Sequence, residues 1–113
     1  MKVLRPLTEA RSARPADDRR PATAIIHDSA DVRLVVFRLA PGQSVPPHRN
    51  PSSVMLTVQQ GSGFISGANS EEQVREGDAA LFEPNEPHGM RATDVELCLL
   101  AIITPRPSER APS

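Results

Sequence analysis

Three histidines are the side chains of this 113-residue protein best suited to chemistry, because imidazole titrates near neutrality and ligates metals in its neutral form. His48 lies in Pro46-Pro47-His48-Arg49-Asn50-Pro51 and His88 in Glu83-Pro84-Asn85-Glu86-Pro87-His88-Gly89. Each therefore follows a proline-stiffened turn. A backbone held in this way loses less entropy when a metal or substrate binds, which is what a preorganised site requires. His27, beside Asp28 and Ser29, has no second ligand type at a useful spacing and reads as a surface residue. The one cysteine, Cys98, stands between Leu97 and Leu99 and reads as a small core hydrophobe. A single thiol forms neither an intrachain disulfide nor a cysteine-rich zinc site. Glu83 and Glu86 fall in a turn and read as solvated.

In extended chain, alternate side chains share a face. His48 then points with Asn50, and His88 with Met90 and Ala92, while the strand that follows His48 puts Val54, Leu56 and Val58 on one face. Should these faces meet, they enclose a mostly apolar pocket of Val54, Leu56, Val58 and Met90 carrying two imidazoles and one amide. Catalytic divalent sites usually take three or more protein ligands. Two imidazoles thus leave three readings open: a divalent metal completed by Asn50, water or another side chain; imidazoles that bind or protonate a small ligand directly; or hydrogen-bonded residues in a ligand-less interior.

The elements that would position these residues are short. Residues 1–22 hold Pro6, Pro15 and Pro21 among charged and small residues and read as an extended or disordered arm. From residue 23 to 104, apolar residues come in brief runs punctuated by Pro, Gly, Asn and Asp, with no 3.6-residue period long enough for a helix. Eight strands are predicted, at 24–27, 32–40, 53–60, 63–66, 73–75, 79–83, 88–92 and 95–103, with a stiff segment around His48 and a tight turn at Gly61 and Gly63. Residues 105–113, with Pro105, Pro107 and Pro112, form a tail that cannot continue a ladder. Many short antiparallel strands with evenly spaced turns argue for an all-β sandwich or barrel, and barrel closure would remove exposed strand edges.

The spacing resembles that of the cupin superfamily, over roughly residues 23–104. Gly42, five residues, His48-Arg49-Asn50, three residues, Val54, six residues and Gly61 match the frame of the family's first motif. Gly77-Asp78, then Glu83-Pro84-Asn85 and His88, match that of the second. The resemblance implies a single-domain cupin barrel, a double-stranded β-helix of jelly-roll type. Carried over residue by residue, the family's four metal ligands fall on His48, Asn50, Val54 and His88, so one His has become Asn and the Glu has become Val. Asn85 stands at the turn glycine, where asparagine tolerates the left-handed conformation. An amide oxygen is a poorer donor than imidazole for zinc or iron, and valine cannot ligate.

Composition narrows the partners. The arm carries six bases (Lys2, Arg5, Arg11, Arg14, Arg19, Arg20) against Glu9, Asp17 and Asp18, whereas residues 23–104 set five arginines against ten acids. Such an acidic body is not expected to bind nucleic acid. No run of 18 apolar residues exists for a membrane helix, and Pro6, Thr8 and Glu9 interrupt any signal-peptide core, so a cytoplasmic address is expected. With a hydrophobic fraction of 38%, three Phe, no Trp and no Tyr, the core is modest, and a homodimer is expected because pairing would bury further apolar surface. Family size implies the same, with Leu4 and Leu7 of the arm lying across the partner. The functional expectation is a small-molecule-binding cupin holding one divalent metal (Fe, Mn, Ni or Zn) through His48 and His88, with Asn50. The alternative is a metal-free, non-enzymatic binding or sensing cupin.

Overall fold

The computed structural model describes residues 1–107. Within them the chain runs α1 (Pro6–Ser12), β1 (Ala22–Asp28), β2 (Arg33–Leu39), β3 (Ser44–His48), β4 (Ser53–Ser66), β5 (Glu71–Arg75), β6 (Ala79–Phe82) and β7 (His88–Thr104). No helix among the described residues is long and apolar enough to cross a membrane.

Two long strands organise the molecule. β4 and β7 pair antiparallel along almost their whole length, from Ser53 opposite Thr104 to Ser66 opposite Gly89. The first half of β4 and the second half of β7 form one leaf with β2 and β1 on one side and β6 on the other. The remaining halves form a second leaf, flanked by β3 and β5. Alternation builds the core between them: Val54, Leu56 and Val58 from β4, Leu39 from β2, Phe82 from β6, and Met90, Ala92, Leu97, Leu99 and Ala101 from β7 are all buried in one cluster. The architecture is the all-β double-stranded β-helix expected, but its sheet does not close.

Seven strands, not eight, are present among the described residues: 53–60 and 63–66 merge into β4, 88–92 and 95–103 merge into β7, and β3 is added; the β4 merger has a cause at two glycines. Gly61, with φ of +85°, and Gly63 bring the β4 backbone so close to β7 that a Cβ on either would run into the carbonyl oxygen of Glu96 or Arg91. The predicted tight turn is therefore a pair of bulges, at which the register shifts between Val58 and Gln60 and again between Gly61 and Gly63, so β4 bends into the second leaf without leaving the ladder. The stiff segment before His48 proves to be strand β3, whose register skips between Val45 and His48 because Pro46 and Pro47 have no N–H to donate.

The arm is the larger departure. Where an extended or disordered segment was expected, Pro6 starts a two-turn helix with Leu7 and Ala10 on one face. Seven residues cannot sustain a helix alone in water, so docking holds it. Ala10, fully buried, packs with Val36 and Cys98 on the outer face of the first leaf, joined by Leu7, Ala24, Ile26 and Leu100. Arg38 reaches across to give hydrogen bonds from Nε to the Ala10 carbonyl (3.1 Å) and from Nη2 to that of Ala13 (2.7 Å), satisfying the carbonyls that a helix C-terminus leaves open. Leu7 thus packs on the chain's own sheet. Of the expected tail, residues 108–113 lie outside the described residues.

Candidate functional site

His48 and His88 come together. They stand opposite each other in the β3–β7 register, and their rings lie 4.2 Å apart between centroids, tilted by 58°. His88 is 3% exposed, whereas His48 is exposed, so the pair reaches from the core to solvent. Phe82 packs against the other side of His88, with 5.1 Å between ring centroids.

The two imidazoles are held in the same way. His48 Nδ1 lies 3.3 Å from the carbonyl oxygen of Pro46, and His88 Nδ1 lies 3.2 Å from that of Glu86. In each case the acceptor is two residues upstream and a proline lies between, in Pro46-Pro47-His48 and Glu86-Pro87-His88. A carbonyl can only accept, so the neutral ring carries its proton on Nδ1 and keeps the Nε2 lone pair. Fixing the tautomer and ring orientation through the second nitrogen is the arrangement that prepares imidazole for ligation. Burial also pushes His88 below its ordinary pKa, against the opposing pull of the Glu86 carbonyl, and the neighbouring His48 lowers it further. Loss of the proton favours a lone-pair donor.

The loops that carry the pair are stapled to one another. Asn85, in the left-handed region with φ of 66°, donates its N–H to the Asn50 carbonyl (2.7 Å), and Arg49 Nη1 donates to the Asn85 carbonyl (2.6 Å). Glu86 caps its own turn by accepting the Glu83 N–H at Oε1 (3.0 Å). Gly89 completes the fit. An ideal Cβ there would stand 2.9 Å from Ser66 Oγ and 3.0 Å from both Pro47 N and Val45 O, so only glycine lets β3 lie this close to β7.

The remaining sequence-predicted residues divide. Asn50 is half-buried beside the pair's loop, and its Oδ1 accepts the Ser52 N–H (2.9 Å), which leaves one lone pair of the amide oxygen for a ligand. Val54, Leu56, Val58 and Met90 are 1–3% exposed and sit in the core cluster on the inward face. Val54 pairs with Phe82 on one side and Ile103 on the other. Among the described residues no three His, Cys, Asp or Glu side chains gather as a metal cluster. His27 lies on β1 with Lys2 Nζ at 3.3 Å, apart from the pair. Sequence reasoning missed Phe82, whose contact with His88 bridges separate strands, and Gly89, whose role depends on a crossing invisible in one strand. The shared X-Pro-His pattern was the signal for the two carbonyl acceptors.

Comparisons with known proteins agree with this fold. A family model described as "Cupin domain" matches residues 35–103. Among solved structures, an uncharacterised conserved protein with a double-stranded β-helix domain from Klebsiella pneumoniae superposes with a TM-score of 0.81, at 21% identity over 94% of this chain and 92% of that one. An RmlC-like cupin protein from Desulfovibrio desulfuricans gives a TM-score of 0.79 at 26% identity, covering 93% of this chain and 97% of its own. A predicted oxalate decarboxylase from Thermotoga maritima gives 0.70 at 20% identity over 74% and 79%. The search of curated proteins found no match. The matched segment takes in more than half of the chain and both histidine-bearing loops, and the chain belongs to the cupin family.

Proposed function

We propose that this cupin binds a small molecule at the His48–His88 pair, and that the pair holds one divalent metal ion through the two Nε2 atoms, with the Asn50 amide oxygen as third protein donor. One observation carries the reading: both rings have Nδ1 committed to a backbone carbonyl, so both Nε2 lone pairs remain for a shared ligand. The donor set fits an ion held with fewer protein ligands than usual, its other positions filled by water or substrate. When bound, such an ion supplies Lewis acidity that polarises a substrate oxygen. The inward residues Val54, Leu56, Val58 and Met90 pack the core, and the exposed edge of His48 offers the way in to the pair.

A second reading, a metal-free binding or sensing cupin, is favoured by Val54, which stands buried where the family pattern has a carboxylate. Titration calorimetry with Mn²⁺, Fe²⁺, Ni²⁺ and Zn²⁺ separates the two. The first reading expects one site per chain that disappears in the His48→Ala/His88→Ala variant; no binding of any of the four overturns it and leaves the second. The homodimer belongs to the same proposal, supported by Ile25, 56% exposed on edge strand β1. Light scattering of the purified chain at twice its 12.2 kDa mass is the expected result.

A further inference from the structure

A cleft lies between β1–β2 and β3, with Arg14, Ala16, Arg19, Arg20 and Pro21 of the arm along it. It is open to solvent and has a volume of about 600 Å³, within the range of small-molecule pockets. Its floor is apolar. Phe37 of β2 and Val45 of β3, both packed on the core cluster, line it. Its rim is cationic, formed by Arg14, Arg19 and Arg20, with the Ser44 and Thr23 hydroxyl residues beside them.

This rim is held in place. The arm enters it from α1, which Arg38 anchors at Ala10 and Ala13. On the far side, Gln43 Nε2 donates to the carbonyls of Asp18 (3.2 Å) and Arg20 (3.3 Å), while its Oε1 accepts the Ala40 N–H (2.9 Å). One side chain therefore ties the arginine-bearing turn to the β2–β3 connection. Of the three arginines only Arg20 has an ion-pair partner among the described residues, Asp17 at 3.6 Å with both side chains exposed. Three guanidiniums around one concavity repel each other, and an anion seated between them relieves that repulsion while the low-dielectric floor concentrates the field. Guanidinium forks match carboxylate geometry in two parallel hydrogen bonds, and the floor suits a hydrocarbon or aryl body.

We propose that this cleft is a binding site for a small amphipathic organic anion, an aryl or short alkyl carboxylate, whose charged end meets Arg14, Arg19 and Arg20 and whose apolar body rests on Phe37 and Val45. Pro46, whose carbonyl holds His48, also lines the cleft, but neither imidazole does, and the site does not depend on a metal.

Benzoate serves as the probe and benzyl alcohol as its neutral counterpart, titrated into the full chain by calorimetry and by amide chemical shifts. Benzoate is expected to bind at one site per chain about tenfold more tightly than benzyl alcohol, as a charge-assisted hydrogen bond implies, with the affinity falling as salt is raised. Shifts should centre on Thr23, Phe37 and Ser44. The Arg14→Gln/Arg19→Gln variant, altered only at exposed positions, is expected to lose about tenfold or more. Gln43→Ala should weaken binding without changing any charge, and His48→Ala/His88→Ala should leave it intact. Equal affinity for the alcohol, an unchanged Kd in the arginine variant, or loss of binding in the histidine variant overturns the proposal.

Discussion

Replacing Gly89 by alanine tests whether β3 is locked against β7 by contact and not merely by pairing. A Cβ at this position would lie 3.0 Å from Pro47 N and Val45 O, whereas ordinary van der Waals contact begins at 3.4 Å, so β3 must retreat by roughly 0.4 Å, the difference of the two. The third contact, Ser66 Oγ at 2.9 Å, is the end of a side chain and can rotate away; the other two are backbone atoms of a strand bearing His48. Overpacking of this kind costs about 1–3 kcal/mol. Alanine also restricts the unfolded chain more than glycine does, which returns about 0.4–1 kcal/mol. The steric effect wins, and Gly89→Ala is expected to lose about 1–2 kcal/mol net, read as a lower urea midpoint at unchanged slope. The same retreat separates His48 from His88, so any ligand shared by the two rings is held less tightly. Adding Ser66→Ala discriminates: it removes one of three contacts and should restore little. A Gly89→Ala protein as stable as the parent, or one fully rescued by Ser66→Ala, would refute the reasoning, since β3 would then not be displaced.

Two further perturbations probe buried titratable groups. Because burial holds His88 below its ordinary pKa, the unfolded chain takes up a proton near pH 6.5, before the folded one does; stability is therefore whole above about 6.5 and is lost as pH falls toward the lower folded value. His88→Gln should flatten that part of the urea-midpoint profile, and an unaltered slope would show that another group causes it. Cys98, pushed above the ordinary thiol range by burial and by the Glu96 carboxylate, should resist disulfide-exchange reagents in the folded chain. Arg38→Ala removes the two hydrogen bonds that anchor α1 and should raise the labelling rate about tenfold or more; a parent protein labelling as fast as a free thiol would contradict the docked helix.

How much of this was legible in the sequence depends on the range of the force concerned. Strands β1, β2, β5, β6 and the halves of β4 and β7 follow from alternation and turn residues, which act locally. The convergence of His48 and His88 was legible because prolines stiffen both approaches and the motif spacing resembles a known frame. Other features needed a partner strand. Gly61 and Gly63 look the same in a tight turn and in a bulge, and only the β7 carbonyls against them decide. Pro46 and Pro47 argue against a ladder, yet β3 pairs with β7 by skipping them. Helix α1 has too few residues to show a period, and its cause is the Val36, Cys98 and Arg38 surface that receives it.

Val54 gives the histidine pair its particular character. A carboxylate in its place would be buried between Phe82 and Ile103, where an unpaired charge costs several kcal/mol, and since Phe82 in turn packs on His88, a cation held by the imidazole pair would help to compensate it. In a chain with that carboxylate, folding and metal binding are obliged to support each other. Valine removes the obligation: it adds apolar burial at 2% exposure and leaves no charge to neutralise. The fold of this cupin is therefore expected to need no ion, and the ion proposed for the pair, bound by two imidazoles and an amide, is expected to exchange with solvent and with ligand.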